Sequence, residues 1–409
     1  LENNGHQPNK IELIVIGGTW SYLPEKYKYW YILNCFKAAN DYQKIKKEIN
    51  IEKSEKQIQP KKILKYLYSN KLRLEEIKDL LKTEQKKNEK AKYNIIGLTL
   101  ETRPDYLDDK ELWQMRELGC TRVEIGVQAV DDKILKLNKR GHDVKTIAEA
   151  TKKLKQFGFK VTYHFMPALP GSNPKKDIKM FKELYSDERF QPDQIKFYPT
   201  TVVKDSLLYN WWKEGKYKPY TDKELEQVII ESKKAVPIYT RIIRLIRDIP
   251  GESIEAGNKI TNLRQVMKDK GVVCNCIRCR EAKNKIIDKN DLKLNILKYK
   301  SSGGDEYFIS FDSKDKKFLY GFCRLRIDEN SNISPAIIRE LHVYGQLVPM
   351  GNDKKIQHSG LGKRLVAEAE KIAKKNKAKE LAIISGVGVR GYYRKLGYKL
   401  KDTYMIKKI

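Results

Sequence analysis

Short apolar runs alternate with helical patterns through the first 250 residues of the chain. Residues 11–18, IELIVIGG, predict a buried strand that ends in a glycine turn, and the next segment predicts a helix. Four more β-rich runs follow, with helical stretches between them: YNIIGLTLETRPD, TRVEIGVQAV, KVTYHFMPALPG and QIKFYPTTVV. This alternation predicts a parallel sheet or barrel of βα units, with ligands bound after the strands.

The pattern changes from about residue 291, where antiparallel strands with helices are predicted. The run YFISFDSKDKKFLYGFCRLRI is typical of a hairpin, and RELHVYG predicts a further strand. A loop, KKIQHSGLGKRL at 354–365, then leads into a helix whose apolar positions recur at Leu361, Leu365, Ala369 and Ile372. The fold class predicted is α/β: a βα barrel followed by a second α+β domain.

The chain is strongly basic, with 83 Lys and Arg against 53 Asp and Glu in 409 residues and a net charge of +30. Such a surplus favours a polyanionic partner, most plausibly nucleic acid. A lysine-rich composition of the whole proteome is the alternative. No run approaches 18 apolar residues, so no membrane partner is expected.

The loop at 354–365 carries the pattern Gln357-x-x-Gly360-x-Gly362 at the start of a helix. A glycine turn there exposes backbone N–H groups, and the helix dipole adds partial positive charge. Glycines let a pyrophosphate approach the backbone closely. The pattern alone fits an ordinary turn equally well.

Three of the six cysteines form a C-x-C-x2-C cluster, Cys274, Cys276 and Cys279. Three soft thiolates this close suit Zn²⁺ in a structural site, although no fourth ligand is evident nearby. Free thiols are the alternative, and the spacing suits an iron–sulfur cluster less well. Cys35, Cys120 and Cys323 are scattered among apolar residues. This usage indicates a reducing compartment, so a cytoplasmic location is expected.

The order of RELHVYG, the glycine loop with its helix, and AIISGVGVRGYYRKLGY resembles the GNAT acetyltransferase superfamily. The resemblance implies that Gln357, Gly360, Leu361 and Gly362 bind the pyrophosphate of acetyl-CoA. The thioester end would be lined by residues of the preceding strand: Glu340, Leu341, His342 and Val343. Tyr392 and Tyr393 would stand near the sulfur, where a Tyr could donate a proton or orient the thioester. Packing is the alternative for the two tyrosines.

Several strings together extend the resemblance over the whole chain: IVIGGTW, GLTLETRPDY, CTRVEIGVQ, RGHDVKTIAEA, MPALPGSNPKKDI and DQIKFYPTTVV. They resemble the Elongator catalytic-subunit family of radical-SAM tRNA acetyltransferases, of the archaeal type. This implies conversion of a tRNA wobble uridine toward 5-carboxymethyluridine, with acetyl-CoA as carbon donor and S-adenosylmethionine as radical source. Gly17, Gly18 and Thr19 would meet the methionyl part of S-adenosylmethionine. Lys10 matches a lysine associated with acetyl-CoA.

The resemblance also implies a [4Fe–4S] cluster, held in the family by three cysteines of an early loop that this sequence does not contain. We therefore expect the first barrel strand and the cluster loop to be absent. The predicted domains are a partial radical-SAM βα barrel at 1–265, a zinc-binding linker at 266–290 and a GNAT domain at 291–409.

tRNA is the expected partner, and a homodimer or other Elongator subunits are further candidates. Two basic stretches are candidate phosphate contacts: KLKQFGFK at 153–160, and RIIRLIRD with Arg241, Arg244 and Arg247. Solvated faces or local ion pairs are the alternative. Two other functions remain open: a protein lysine acetyltransferase with the barrel as scaffold, for which Glu340 is the obvious general base, and a non-enzymatic tRNA-binding scaffold.

Overall fold

The structure is a computed structural model that describes residues 8–51, 65–246, 249–260, 262–282, 291–344 and 360–409. The described residues fall into two compact units. The first takes the residues up to Thr102, Tyr106–Val123 and Ala382–Lys408. The second takes Arg103–Asp105, Glu124–Leu381 and the last residue, Ile409.

Strands and helices alternate in the first part of the chain. Its elements in order are β1 (Lys10–Val15), α1 (Glu25–Ile51), α2 (Leu74–Asn88), β2 (Asn94–Thr102), α3 (Asp109–Glu117), β3 (Arg122–Gln128), α4 (Asp132–Leu137), α5 (Val144–Gln156), β4 (Lys160–Phe165), α6 (Pro174–Ser186), β5 (Gln194–Phe197), β6 (Val202–Val203), α7 (Leu207–Lys213), α8 (Asp222–Ala235), β7 (Arg241–Arg244) and β8 (Ile254–Ala256).

Strands dominate the later part of the chain. Its elements are α9 (Leu263–Asp269), α10 (Ile277–Arg280), β9 (Leu292–Ser301), β10 (Gly304–Ser313), β11 (Leu319–Ile327), β12 (Ala336–Val343), α11 (Leu361–Lys375), β13 (Glu380–Ile383), α12 (Arg390–Arg394), β14 (Lys399–Lys401) and β15 (Tyr404–Lys408).

In the first unit, β1 pairs in parallel with β2, and β2 adjoins the first residues of β3. The first unit also holds the antiparallel pair of β14 and β15. Strand β1 differs from its prediction, because its residues alternate between exposed and half-buried instead of being buried throughout. Only one neighbour, β2, hydrogen-bonds to β1 among the described strands, so it forms the edge of its sheet.

The second unit contains two large sheets and a short antiparallel pair, β6 with β8. The remainder of β3 is followed in the sheet by β4, β5 and β7, and β5 pairs in parallel with both β4 and β7. The other sheet has the order β9–β10–β11–β12 and then the start of β13, and the first four strands are antiparallel. The predicted βα sheet and the predicted hairpin, which is β10 with β11, are thus confirmed.

Local signals in the sequence explain where the helices around the parallel sheet begin. Helix α5 starts after Asp143, whose side chain accepts a hydrogen bond from Thr146 N at 2.8 Å. Helix α6 starts after Asn173, which caps Lys176 N at 2.9 Å, and has Pro174 as its first residue. Such caps satisfy N–H groups that have no partner within the helix.

The two sheets of the second unit share a buried core. Phe308 and Phe322 of the antiparallel sheet pack with Tyr239, which precedes β7, and with Ile277 of α10. The rings of Tyr239 and Tyr299 stack with centroids 3.9 Å apart. The packing holds the cysteine-containing segment and the start of β7 against the antiparallel sheet.

Candidate active site

A buried polar cluster lies on three neighbouring strands of the parallel sheet in the second unit. Glu124 of β3 contacts His164 of β4, with Oε2 and Nε2 2.8 Å apart, and forms an ion pair with Lys196 of β5. All three residues are buried. His164 and Lys196 are directly paired in register, which brings both side chains to the same carboxylate.

The Glu124 carboxylate stays ionised despite its burial. Burial acts to raise its pKa, but the hydrogen bond with His164 and the charge of Lys196 outweigh it and hold the pKa at about 2. Sequence reasoning missed this cluster. Its signal was an ionisable residue inside each of three strands that are otherwise predicted to be buried, Glu124, His164 and Lys196, because a buried ionisable group normally requires a partner.

The loop after β1 has open space above its backbone. Gly17 has φ +105°, and a Cβ added at Gly17 or Gly18 would meet nothing within 4 Å. The Gly17 N–H lies 3.4 Å from Oε2 of Glu101. Thr19 directly precedes the short helical turn that starts at Trp20. An open glycine loop of this kind fits the expected contact with S-adenosylmethionine, which would compete with Glu101 for the long hydrogen bond of Gly17.

Lys10 lies at the other end of β1 from this glycine loop, as the first residue of the strand. It is exposed and pairs in register with Asn94. Its association with acetyl-CoA stays a prediction.

Strand β12 carries the residues expected at the thioester end of acetyl-CoA. Glu340 is clamped by two cations: Lys160 Nζ lies 2.8 Å from its carboxylate, and Arg324 Nε lies 2.9 Å away. His342 is exposed, and its ring lies 4.4 Å from that of Tyr344, centroid to centroid. Leu341 and Val343 are half-buried.

The clamp decides what Glu340 can do chemically. Burial works to raise its pKa, but Lys160 and Arg324 together lower it to about 2. A general base works best when its pKa lies near the operating pH. Glu340 is therefore a weak base in this arrangement, and its geometry suits holding β12 in place.

Gly360 stands at the start of α11 with φ +72°, a left-handed conformation that favours glycine. A Cβ built on it would meet no atom of the described residues within 4 Å. Leu361 and Gly362 form the first turn, and Leu361 is buried. Gln357 lies outside the described residues. The exposed N–H groups at this helix start fit the expected pyrophosphate.

Gly360→Glu is expected to abolish acetyl-CoA binding, because the new carboxylate would occupy the anion site. A calorimetric titration measures the affinity. Gly360→Ala is the matched control, because it introduces the same backbone strain at positive φ but adds no charge. Undiminished affinity in the Glu variant would remove the pyrophosphate site from this loop.

The paired tyrosines of α12 belong to the first unit and differ in exposure. Tyr392 is 39 % exposed, whereas Tyr393 is 7 % exposed. The Tyr393 ring packs edge-on against Tyr398 with centroids 6.3 Å apart, and Tyr392 lies edge-on to Tyr393 at 5.2 Å. Only Tyr392 thus presents much of its ring to solvent, and its role at the thioester stays a prediction.

The cysteine cluster of the sequence is also a cluster in space. The Sγ atoms of Cys274, Cys276 and Cys279 lie within 4.8 Å of one another. Hydrogen bonds from the other two thiols lower the pKa of Cys276, and hydrogen bonds with Cys276 and Cys279 raise the pKa of Cys274. Among the residues that the structure describes, no His, Asp or Glu joins this group as a fourth ligand.

The other three cysteines lie on separate parts of the fold. Cys35 is in α1, Cys120 precedes β3 and Cys323 is in β11. Burial raises the pKa of Cys35 to about 11 and that of Cys120 to about 12. Outside Cys274–Cys279, the described residues bring no three cysteines together, so they do not form the three-thiolate site of a [4Fe–4S] cluster.

The candidate phosphate contacts have different environments. Arg241 of β7 is ion-paired with Glu281 and donates to Tyr344 Oη at 3.1 Å. Arg244 ends the same strand half-buried, and Arg247 lies outside the described residues. In the other stretch, Lys155 is wrong as a phosphate contact, because it is fully buried and donates to Gln191 O at 2.6 Å.

Family profiles match most of the chain in three segments. Residues 54–184 match the Radical SAM superfamily, residues 192–270 match the Radical_SAM C-terminal domain, and residues 280–398 match the Acetyltransferase (GNAT) family. The fold is thus a radical-SAM parallel-sheet domain followed by a GNAT domain, as predicted. The first family implies S-adenosylmethionine and a [4Fe–4S] cluster, and the second implies acetyl-CoA.

Relatives cover the full chain. It is 40 % identical to the tRNA uridine(34) acetyltransferase of Dehalococcoides mccartyi, over 100 % of this chain and 85 % of the relative. Human Elongator complex protein 3 is 36 % identical, with 71 % of its length covered. The solved structure of archaeal Methanocaldococcus infernus Elp3 with N-terminus deletion (1-46) matches with a TM-score of 0.86 and 39 % identity, over 100 % of this chain and 92 % of that one. The chain belongs to the family of tRNA uridine(34) acetyltransferases and Elongator complex protein 3, and is an acyltransferase.

Among the described helices, none combines the length and the apolar character needed to cross a membrane.

Proposed function

We propose that this chain modifies the wobble uridine of tRNA, using acetyl-CoA as the carbon donor and S-adenosylmethionine as the radical source, toward 5-carboxymethyluridine. The names of its relatives support the substrate: the Dehalococcoides mccartyi protein is a tRNA uridine(34) acetyltransferase. The net charge of +30 supports a polyanionic partner.

A buried network of ion pairs between the two sheets of the second unit carries the proposal. Arg339 of β12 donates two hydrogen bonds to Asp193, which precedes β5, at 2.6 and 2.8 Å. Glu340 on the same strand pairs with Lys160 of β4. The radical-SAM sheet and the acetyltransferase sheet therefore share one polar core, as expected if both chemistries act on one substrate.

The chain's own residues would bind and orient the reactants. The open amides at Gly17 and Gly18 would hold S-adenosylmethionine, and those at the start of α11 would hold the pyrophosphate of acetyl-CoA. With its iron–sulfur cluster, S-adenosylmethionine supplies a carbon radical in this family. The hydroxyl of Tyr392 would place a proton at the thioester sulfur.

The alternative function, a protein lysine acetyltransferase, needs a base that can take a proton from a lysine amine. Glu340 was the obvious candidate from the sequence, and its pKa of about 2 makes it a weak one. A lysine-rich peptide would also be repelled by a chain with a net charge of +30. Both observations favour tRNA.

Acetyl-CoA hydrolysis, measured with tRNA, with a lysine-rich peptide and with neither, separates the functions. We expect stimulation by tRNA alone and loss of that stimulation in Gly360→Glu. Stimulation by the peptide alone would support the lysine acetyltransferase instead. No stimulation by either would support a tRNA-binding scaffold.

We propose that Cys274, Cys276 and Cys279 are ligands of a structural zinc ion. Metal analysis of the purified protein should find about one zinc per chain. Cys276→Ser should lower both the zinc content and the melting temperature, since a structural zinc adds to folding free energy. Cys35→Ser is the control and should leave the zinc content unchanged, because Cys35 lies in α1. A metal-free preparation that melts at the same temperature would contradict the proposal.

We extend the proposal to the domain boundaries, the protein partners and the location of the chain. We place the radical-SAM barrel at 1–265, the zinc-binding linker at 266–290 and the GNAT domain at 291–409. A second copy of the chain or other subunits of an Elongator-like complex are the proposed protein partners, and the cytoplasm is the proposed location. Arg241, Arg244 and Arg247 remain proposed tRNA contacts.

A further inference from the structure

Helix α7 carries aromatic and apolar side chains that the protein buries only in part. Its sequence is LLYNWWK, and none of its seven residues is buried. Leu207 is 46 % exposed. A surface helix normally buries one apolar stripe. The two tryptophans and the tyrosine of α7 are each half-buried, so part of every ring stays accessible, which is typical of a binding surface.

Three side chains of α7 form a compact face, which we call the aromatic face: Tyr209, Trp212 and Lys213. The Tyr209 and Trp212 rings are tilted, with centroids 5.8 Å apart. The Lys213 Nζ atom lies 5.0 Å from the Trp212 centroid and 5.5 Å from the Tyr209 centroid. The face thus offers flat π surfaces with a cation beside them.

The surroundings of the aromatic face are basic. The segment 204–218 contains Lys204, Lys213, Lys216 and Lys218 but only two acidic residues. One of the two, Glu214, is neutralised by Lys216 at 2.6 Å. The aromatic face therefore suits a partner that is both aromatic and anionic.

Helix α7 follows two strands along the chain, and the residues after it are hydrogen-bonded to the segment that follows β4 of the parallel sheet. It follows β5, the strand with Lys196 of the buried cluster, and then β6. Tyr217 after the helix donates to Ala168 O at 2.8 Å, and Tyr220 donates to Asp177 Oδ2 at 2.7 Å. These bonds tie the segment to the loop and helix that follow β4. Ligands of parallel sheets bind beyond the carboxyl ends of the strands.

We propose that the aromatic face binds an unpaired nucleotide of the tRNA by stacking, with Lys213 beside the base or its phosphate. This inference rests on the proposed function and names the surface that receives the single-stranded part of the substrate. Proteins that bind single-stranded nucleic acid combine aromatic platforms with basic grooves, because every base has a π face. A paired base inside a duplex leaves no such face free.

The test compares two RNAs of equal length and charge: an anticodon stem-loop with uridine at the wobble position, and a blunt duplex. Trp212→Ala should weaken binding of the stem-loop by roughly ten- to a hundredfold, the range for loss of one base–aromatic stack. Binding of the duplex should stay unchanged. Trp212→Phe is the matched control and should restore most of the affinity, because a flat ring remains.

Salt dependence separates stacking from charge. Stacking releases no counterions, so Trp212→Ala should lower the affinity at every salt concentration without changing the log–log slope. Lys213→Ala should flatten that slope. Trp212 is half-buried, so Trp212→Ala should melt only slightly below the wild type, and affinities are compared well below both melting temperatures.

The outcomes distinguish the inference from the proposed function. The inference would be overturned if Trp212→Ala lowered the stem-loop and duplex affinities equally. It would also be overturned if neither affinity fell. The proposed function would survive this result if tRNA still stimulated acetyl-CoA hydrolysis by the wild type. An aromatic face that serves a protein partner instead would leave both RNA affinities unchanged.

Discussion

Tyr392→Phe is expected to lower tRNA-stimulated acetyl-CoA hydrolysis by about 10²-fold, the usual scale for losing a positioned proton donor. The substitution keeps the ring and removes only the hydroxyl. Acetyl-CoA affinity should change by no more than a few-fold, because the loop at Gly360 is intact. Hydrolysis measured in single turnovers, together with calorimetric titration, checks both expectations.

Tyr393→Phe is the matched control for Tyr392→Phe. Tyr393 is buried against Tyr398, so its ring has a packing role that Phe can replace. We expect near-normal hydrolysis in this variant. Near-normal hydrolysis in both variants would make the two tyrosines packing residues and direct attention to His342.

Arg339→Met is expected to destabilise the protein by about 3–5 kcal/mol, the scale for removing one partner of a buried ion pair. Arg339 is fully buried and donates to Asp193, to Glu306 at 3.0 Å and to Phe159 O at 2.7 Å. Methionine fills part of the volume but leaves two carboxylates without that cation. Urea unfolding measures the loss.

Lys300→Ala is the surface control for Arg339→Met. Lys300 pairs with Asp305 at 2.8 Å, but its side chain is 65 % exposed. Exposed pairs contribute about 0–1 kcal/mol, so little change is expected. A smaller loss for Arg339→Met than for Lys300→Ala would contradict the role we give the network.

The same network predicts sensitivity to acid. The pKa of Glu340 is about 2 in the folded protein and that of Asp193 is also lowered, by Arg339 and Arg324 against the effect of burial. A carboxylate whose pKa is lower in the folded than in the unfolded protein stabilises the fold. Its full contribution is present only at pH values above the pKa of the unfolded state, near 4. The free energy of unfolding should therefore fall as the pH drops from about 4.5 toward 2. Glu340→Gln should make that fall shallower.

The parallel sheet and the antiparallel sheet could be predicted because their signals are local. Apolar runs bounded by turns identify β2 to β5, and the helix after Gly360 follows from apolar spacing, with Leu361, Leu365 and Ala369 buried as expected. Burial was harder to predict. Strand β1 has an apolar sequence like the others, but its place at the sheet edge leaves it partly exposed.

The buried charges could not be predicted, because their partners lie far apart along the chain. Arg339 and Asp193 are 146 residues apart, and the local sequence around either residue does not indicate that the other is its partner. The apolar periodicity of a helix predicts which face turns inward, but a lysine such as Lys155 of α5 fits that pattern either as a surface cation or as a buried hydrogen-bond donor. For that reason the prediction that Lys155 contacts a phosphate was wrong.

The ion pairs between the two sheets also limit how the chain can be cut or recombined. An acetyltransferase half beginning near residue 291 would carry Arg324, Arg339 and Glu340 without Asp193 or Lys160. Charges that are neutralised inside the whole protein would face water or pair wrongly, and the apolar surface around Phe308 and Phe322 would be uncovered. Grafting this half onto another scaffold would require that scaffold to bring its own acid and base at matching positions. The acetyltransferase half is thus a separate segment of the sequence, but its stability depends on the residues of the radical-SAM half.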